Sequence, residues 1–165
     1  MPTAATDLTV AAVVEHDGKF LIVEEYASGR RVLTQPGGHI ESGESPEQAI
    51  ERETLEESGC HVSCEDLIGV YLWIHPQSRQ QYLRLAYRAS YLDVDESLAL
   101  DEGIVRRRWL TLGELKSRRA LLRSPAVLQC VRDYTAGRRT APDFVSNLLS
   151  QERDGDRILA LASRL

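Results

Sequence analysis

A chain of 165 residues, 42% of them hydrophobic and 27% charged, has the length and apolar content for one domain with a buried core. Its formal net charge of -5 excludes a broad nucleic-acid-coating surface, which needs a positive excess, but not a small pocket that grips phosphate. No apolar run approaches the ~20 residues of a membrane span. The opening MPTAATDLTVAAVV lacks a basic start and a cleavable apolar segment, so a cytoplasmic protein without a membrane partner is expected.

In chain order, residues 8–14 read as a first strand, and His16-Asp17-Gly18 as a tight hairpin turn. Residues 20–23 form a second, buried strand, and Ser28-Gly29-Arg30 turns the chain into Val32-Leu33. Pro36-Gly37-Gly38 then breaks the pattern, freeing the backbone to turn sharply and to aim a carbonyl. Ser45 is a natural N-cap, Pro46 suits the first helical position and Gln48 completes a capping box. With Gly59 as the left-handed terminator, these signals predict a helix over 46–58.

Two strands are expected next, a short one over 61–64 and a longer one over 67–75. The longer strand places Tyr71, Trp73 and His75 on one face and Val70, Leu72 and Ile74 on the other. After a turn at Pro76-Gln77-Ser78, residues 82–91 pair back, with Tyr82, Arg84, Ala86 and Arg88 sharing a face. A wall of Trp73, Tyr71, Tyr82 and Arg84 can stack a ring and hold a phosphate; the plainer reading is sheet-surface residues with good β-propensity.

Residues 93–103 are an acidic loop and 104–110 a strand. Thr111 caps a short helix, Ser124-Pro125 opens another that ends at Gly137, and Pro142 breaks the chain. The main domain is expected over 1–142, with a tail over 143–165 that docks as a helix or stays partly loose. Strands, a helix, more strands and late helices do not alternate regularly. That excludes a clean doubly wound sheet and predicts an α/β fold with a mixed sheet and helices on two faces. The three cysteines, Cys60, Cys64 and Cys130, read as small buried hydrophobes and not as a disulfide frame or a zinc site.

The helix over 46–58 carries the chemistry. At ~100° per residue, Glu53, Glu56 and Glu57 fall within about a third of its circumference, in the same direction as Ala49 and Ile50. Carboxylates converging at a partly buried edge repel one another and lose hydration. A divalent cation relieves both costs, and oxygen donors of this kind suit Mg²⁺ or Mn²⁺. A solvated Glu-rich face is the rival reading, and it predicts an acidic interaction module with no metal dependence.

The spacing is more particular than a charge run. From Gly38, five residues lead to Glu44, and seven more to Arg52-Glu53-Thr54-Leu55-Glu56-Glu57-Ser58-Gly59-Cys60. This resembles the Nudix box, the signature of hydrolases that cleave a nucleoside diphosphate linked to another moiety. Thr54 departs from the aliphatic residue usual there, a matter of helix packing. The segments VAAVVEHDGKFLIVEE, LTQPGGHIE, LRLAY, DEGIVRRRWLTLGEL and LLRSPAVLQCVRDYTAGRR are similar to the NudJ-type phosphatase branch of that family.

The resemblance implies an α/β/α sandwich with the box as loop-helix-loop. It implies a Mg²⁺-dependent enzyme, Mn²⁺ being a possible substitute, acting on a small nucleotide or pyrophosphate. Nucleoside di- and triphosphates and thiamine-related pyrophosphates are implied, with release of inorganic phosphate. Glu53, Glu56 and Glu57 would hold the metal with the Gly37 carbonyl, and Glu53 would serve as base, Asp101 or Glu102 being the alternative. Gly38, Glu44, Arg52 and Gly59 would be structural, with Arg52 paired to Glu44, and Arg84, Trp73 and Tyr82 would meet substrate. The alternatives are an ADP-ribose or other NDP-X pyrophosphohydrolase and a non-catalytic nucleotide sensor. The chain is expected as a monomer or homodimer.

Overall fold

The first strand, β1 (Thr6–His16), is the axis of the molecule because its apolar residues face both ways. Val10, Ala12 and Val14 join the core beneath one helix, whereas Val13 joins the core on the opposite face. The computed structural model describes residues 5–27, 29–141 and 144–147. A two-residue turn with Asp17 and Gly18 both at positive φ leads into β2 (Lys19–Ala27). Such a turn matches the twist of a hairpin.

This hairpin pairs only at its base, Glu15 with Phe20 and His16 with Lys19. Further along, β2 leaves β1 to lie between β3 (Arg30–Thr34) and β6 (Ile104–Leu110), antiparallel to both. On its other side β1 runs parallel to β5 (Gln81–Val94), which is antiparallel to β4 (Cys60–Ile74). The mixed six-stranded sheet thus opens into two wings, and the segment after β3 fills the gap. The Val10 and Ala12 amides donate to the carbonyls of Gly38 and Pro36 at 2.8 and 2.9 Å, and His39 bridges Thr9.

Helix α1 (Pro46–Ser58) covers one face, and α2 (Leu112–Ser117) and α3 (Pro125–Thr135) cover the other. The α1 capping box is complete, and Gly59 closes the helix at φ 70°. One expectation is corrected here. The strands read separately over 61–64 and 67–75 are one fifteen-residue strand, bulged between Cys64 and Leu67 and again before Gly69. The extra residues of a bulge shift the alternation of side chains, which is why the continuous strand reads as two. Thr54, the departure that bears on helix packing, is wholly buried with Ala49, Ile50 and Ser58 on the core face of α1. All three cysteines are free.

The tail expected over 143–165 lies almost entirely outside the described residues. Of it, Phe144 is exposed and Val145 packs against the α1-side core. Among the described residues no helix is long and apolar enough to cross a membrane.

Candidate active site

The site forms where α1 meets the segment filling the gap between the wings. Gly37 is required there by contact with backbone, and Gly38 leaves the space that the Glu53 carboxyl occupies. A Cβ on Gly37 would lie 2.1 Å from the Val10 carbonyl oxygen, and one on Gly38 would lie 2.5 Å from Glu53 Oε1. Backbone without side chains therefore passes between β1 and the acidic face of α1. The Gly37 amide donates to Glu57 Oε2 at 2.9 Å. The flanking Pro36 and Gly38 carbonyls are already committed to β1.

Arg52 organises the acids. Its Nε and Nη2 donate to the two oxygens of Glu44 at 2.7 and 2.9 Å, a fork that fixes the loop before the helix. The same guanidinium reaches Glu53 at 2.9 Å, Glu56 at 3.0 Å and the His39 carbonyl at 3.1 Å. The Arg52 hydrogen bonds hold the Glu44 carboxyl below its usual range. Burial pushes Glu53 up, against the opposing pull of Arg52 and with help from the charges of Glu56 and Asp101. Burial pushes Glu57 further, up to about 8, despite the Gly37 hydrogen bond, and the charges of Glu53 and Glu25 add to the rise.

The donors are hard oxygens in partly buried carboxylates, two of which resist ionisation where they stand. That chemistry fits Mg²⁺ or Mn²⁺. Among the described residues, however, no three acidic, His or Cys side chains already stand as a metal cluster. Arg52 holds Glu53 and Glu56, and Gly37 holds Glu57, so closing around an ion requires these side chains to turn.

Asp101 and Glu102 are exposed, on the loop that docks against α1 through the Asp101 amide and the Glu56 carbonyl at 3.0 Å. Beside the acids a cavity of ≈ 590 Å³ opens, walled by Gly37, Gly38 and Glu57 on one side and by Tyr71, Trp73, Tyr82 and Arg84 on another. Trp73 and Tyr82 are cross-strand partners whose rings stack with centroids 5.8 Å apart at 26°. The Tyr71 hydroxyl is tied to Asp133 of α3 at 2.7 Å. Arg84 lies in register between Tyr71 and Thr9. Its Nη1 and the Thr9 hydroxyl are buried without partners, and burial lowers the Arg84 pKa. Thr9 and Arg84 both line the cavity, and unpaired polar groups there are suited to a ligand that completes their hydrogen bonding.

Sequence reading missed Thr9, Glu25 and Arg123. Arg123 also lines the cavity, and its Nη1 donates to Glu25 Oε1 at 2.5 Å. The pair is separated by 98 residues, so no local spacing signals it.

The family model described as the NUDIX domain matches residues 5–129. The chain belongs to the Nudix family. It is 34% identical to Phosphatase NudJ of Escherichia coli K12 over 140 residues, covering 85% of this chain and 90% of the relative. A NUDIX hydrolase structure from Nitrosomonas europaea superposes with a TM-score of 0.85 at 40% identity, over 88% of this chain and 99% of the other. The MutT protein of Methanosarcina mazei Go1 shares the fold, with a TM-score of 0.68 at 18% identity over 83% of this chain and 99% of that one. This Nudix protein is accordingly a hydrolase acting on phosphoanhydrides, in a family that generally depends on divalent metal.

Proposed function

We propose that this Nudix hydrolase is Mg²⁺-dependent, with Mn²⁺ a possible substitute. It cleaves the phosphoanhydride bond of nucleoside di- and triphosphates or of thiamine-related pyrophosphates and releases inorganic phosphate. The observation that carries the reading is one cavity lined by both the box carboxylate Glu57 and Arg84, whose Nη1 is buried without a partner. The likeness to a relative named as a phosphatase supports the release of phosphate.

A pyrophosphate linkage is already activated, and its barrier is mostly charge. A divalent cation supplies charge neutralisation at the phosphate oxygens and acidifies the attacking water. Glu53, Glu56 and Glu57 would hold it, with the Gly37 carbonyl as a further donor. Arg84 binds a phosphate of the chain, and the Trp73–Tyr82 stack offers a flat face to the base or pyrimidine ring. Glu53 takes the proton of the attacking water, since a carboxylate beside the bound cation lies within reach of the water it activates. Asp101 or Glu102 is the alternative base. Arg52 keeps Glu44 and the helix in register and touches no substrate.

The size of the cavity also favours a second reading, cleavage of a nucleoside diphosphate carrying a further group, such as ADP-ribose. A panel of nucleoside di- and triphosphates, thiamine-related pyrophosphates and ADP-ribose separates the two. It is assayed with Mg²⁺ and with EDTA, scoring phosphate against pyrophosphate and nucleotide products. Turnover that survives EDTA overturns the metal assignment. Turnover confined to ADP-ribose overturns the phosphate-releasing assignment.

A further inference from the structure

Arg123 is fixed at its backbone, and its side chain, paired with Glu25, keeps donors to spare. Its neighbours Leu122 and Ser124 are both buried. Leu122 bridges Leu33 of β3, and the Arg123 amide donates to the Leu33 carbonyl at 2.9 Å. The guanidinium lies on the cavity wall shared with Glu57 and Arg84. Its hydrogen bond to Glu25 uses one of five N–H donors, and the side chain remains 45% exposed against 11% for Glu25. Both charges are felt at Glu57 and at Arg84, so the pair belongs to the same small volume as the reactive end of the cavity.

A phosphate chain with a free end differs in one respect from a pyrophosphate esterified at both ends. Its terminal phosphoryl group carries close to a second negative charge near neutral pH and exposes an unblocked face of oxygens. Arg84 alone serves either substrate. A second guanidinium across the cavity adds binding only where there is such an end to hold, and a planar fork suits phosphate oxygens. Arg30, the other arginine on the wall, is exposed at the strand turn and paired through its backbone with Ala27, and among the described residues no carboxylate positions its side chain as Glu25 does for Arg123.

We propose that Arg123 grips the free terminal phosphate of the substrate, with Glu25 as its positioning residue, and so favours open-ended phosphate chains over doubly esterified pyrophosphates. This rests on the phosphate-releasing reading above. The rival account of the pair is a fastening between β2 and the segment before α3. On that account, loss of Arg123 weakens the fold and depresses all substrates alike.

ADP and ADP-ribose make the comparison clean, because they share a nucleoside and differ at the distal phosphate. For wild type, R123A, R123K and E25Q, kcat/KM is measured for both with Mg²⁺, and binding of both is measured by calorimetry in EDTA. R123A is expected to lower kcat/KM for ADP ~10- to 100-fold, mainly through KM, and to reduce the preference for ADP over ADP-ribose at least ~10-fold in both measurements. R123K, which keeps the charge without the fork, recovers part of that preference, and E25Q moves it the same way by less. If R123A fails to fold, R123K and E25Q carry the comparison. An unchanged ADP to ADP-ribose ratio in the folded variants overturns the assignment. A wild-type enzyme that cleaves ADP-ribose but no open-ended chain instead overturns the phosphate-releasing reading, and the binding ratio still decides the role of Arg123.

Discussion

Glu57 accepts a hydrogen bond from the Gly37 amide at 2.9 Å, joining the last turn of α1 to the segment that fills the gap beside β1. Substituting Glu57 tests its chemistry with little change of volume. Glu57→Gln is expected to keep the fold and lower Mg²⁺-dependent turnover by more than the ~10- to 100-fold typical of losing an outer partner of a metal site. Circular dichroism and steady-state kinetics check this. Near-normal turnover at saturating Mg²⁺ removes Glu57 from the ligand set.

The same carboxyl makes stability depend on pH. Its folded-state pKa of about 8 lies above the 4.5 of an unperturbed glutamate, so the folded protein holds the extra proton between those values. The resulting stabilisation is fully present below pH ~4.5 and is lost as pH rises through ~8. Metal-free protein should therefore melt at progressively lower temperature from pH 6 to 8.5. Mg²⁺, which competes with that proton, should raise Tm more at the alkaline end. A melting series with and without Mg²⁺ measures both, and a Mg²⁺ increment independent of pH contradicts this linkage.

Gly37→Ala places a Cβ against the backbone of Val10 and Ala11, atoms that cannot give way singly. A loss of about 2–4 kcal/mol is expected by urea denaturation. Gly43→Ala, at φ 82° with open space around it, should cost only about 1 kcal/mol. Equal costs at the two glycines show that the close approach to β1 is not what selects Gly37.

Thr54 has a wholly buried hydroxyl without a partner on the core face of α1. Thr54→Val should raise stability by about 1 kcal/mol, since it removes an unsatisfied polar group and keeps the branched shape. The urea midpoint should rise with an unchanged slope. A lower midpoint means that the hydroxyl has a partner in solution.

Arg52→Lys keeps the charge but loses the fork that grips both oxygens of Glu44. A loss of about 1–2 kcal/mol is expected. A double-mutant cycle with Glu44→Gln should give a coupling energy of at least about 0.5 kcal/mol. Strict additivity shows that the two side chains do not act as a unit.

Helix α1 was legible in the sequence because its signals are local. Ser45, Gln48 and Gly59 satisfy backbone groups within a turn of themselves, and the angular spacing of Glu53, Glu56 and Glu57 follows from helical geometry alone. The hairpin at Asp17-Gly18 was legible for the same reason. The wall of Trp73, Tyr82 and Arg84 needed only strand alternation and one antiparallel pairing across a short turn.

What lies far apart in the chain was decided by the tertiary structure. The parallel pairing of β1 with β5, the opening of the sheet into two wings and the meeting of Arg123 with Glu25 depend on contacts across tens of residues. Each such contact is selected by burial and loop closure summed over the whole fold, and leaves no mark in the spacing of neighbouring residues. The bulges of β4 hid in the same way, because a partner strand and not the bulged strand sets where a ladder must skip. The chain alone therefore declares which acids can share a helix face, and the packed sheet declares what that face looks onto.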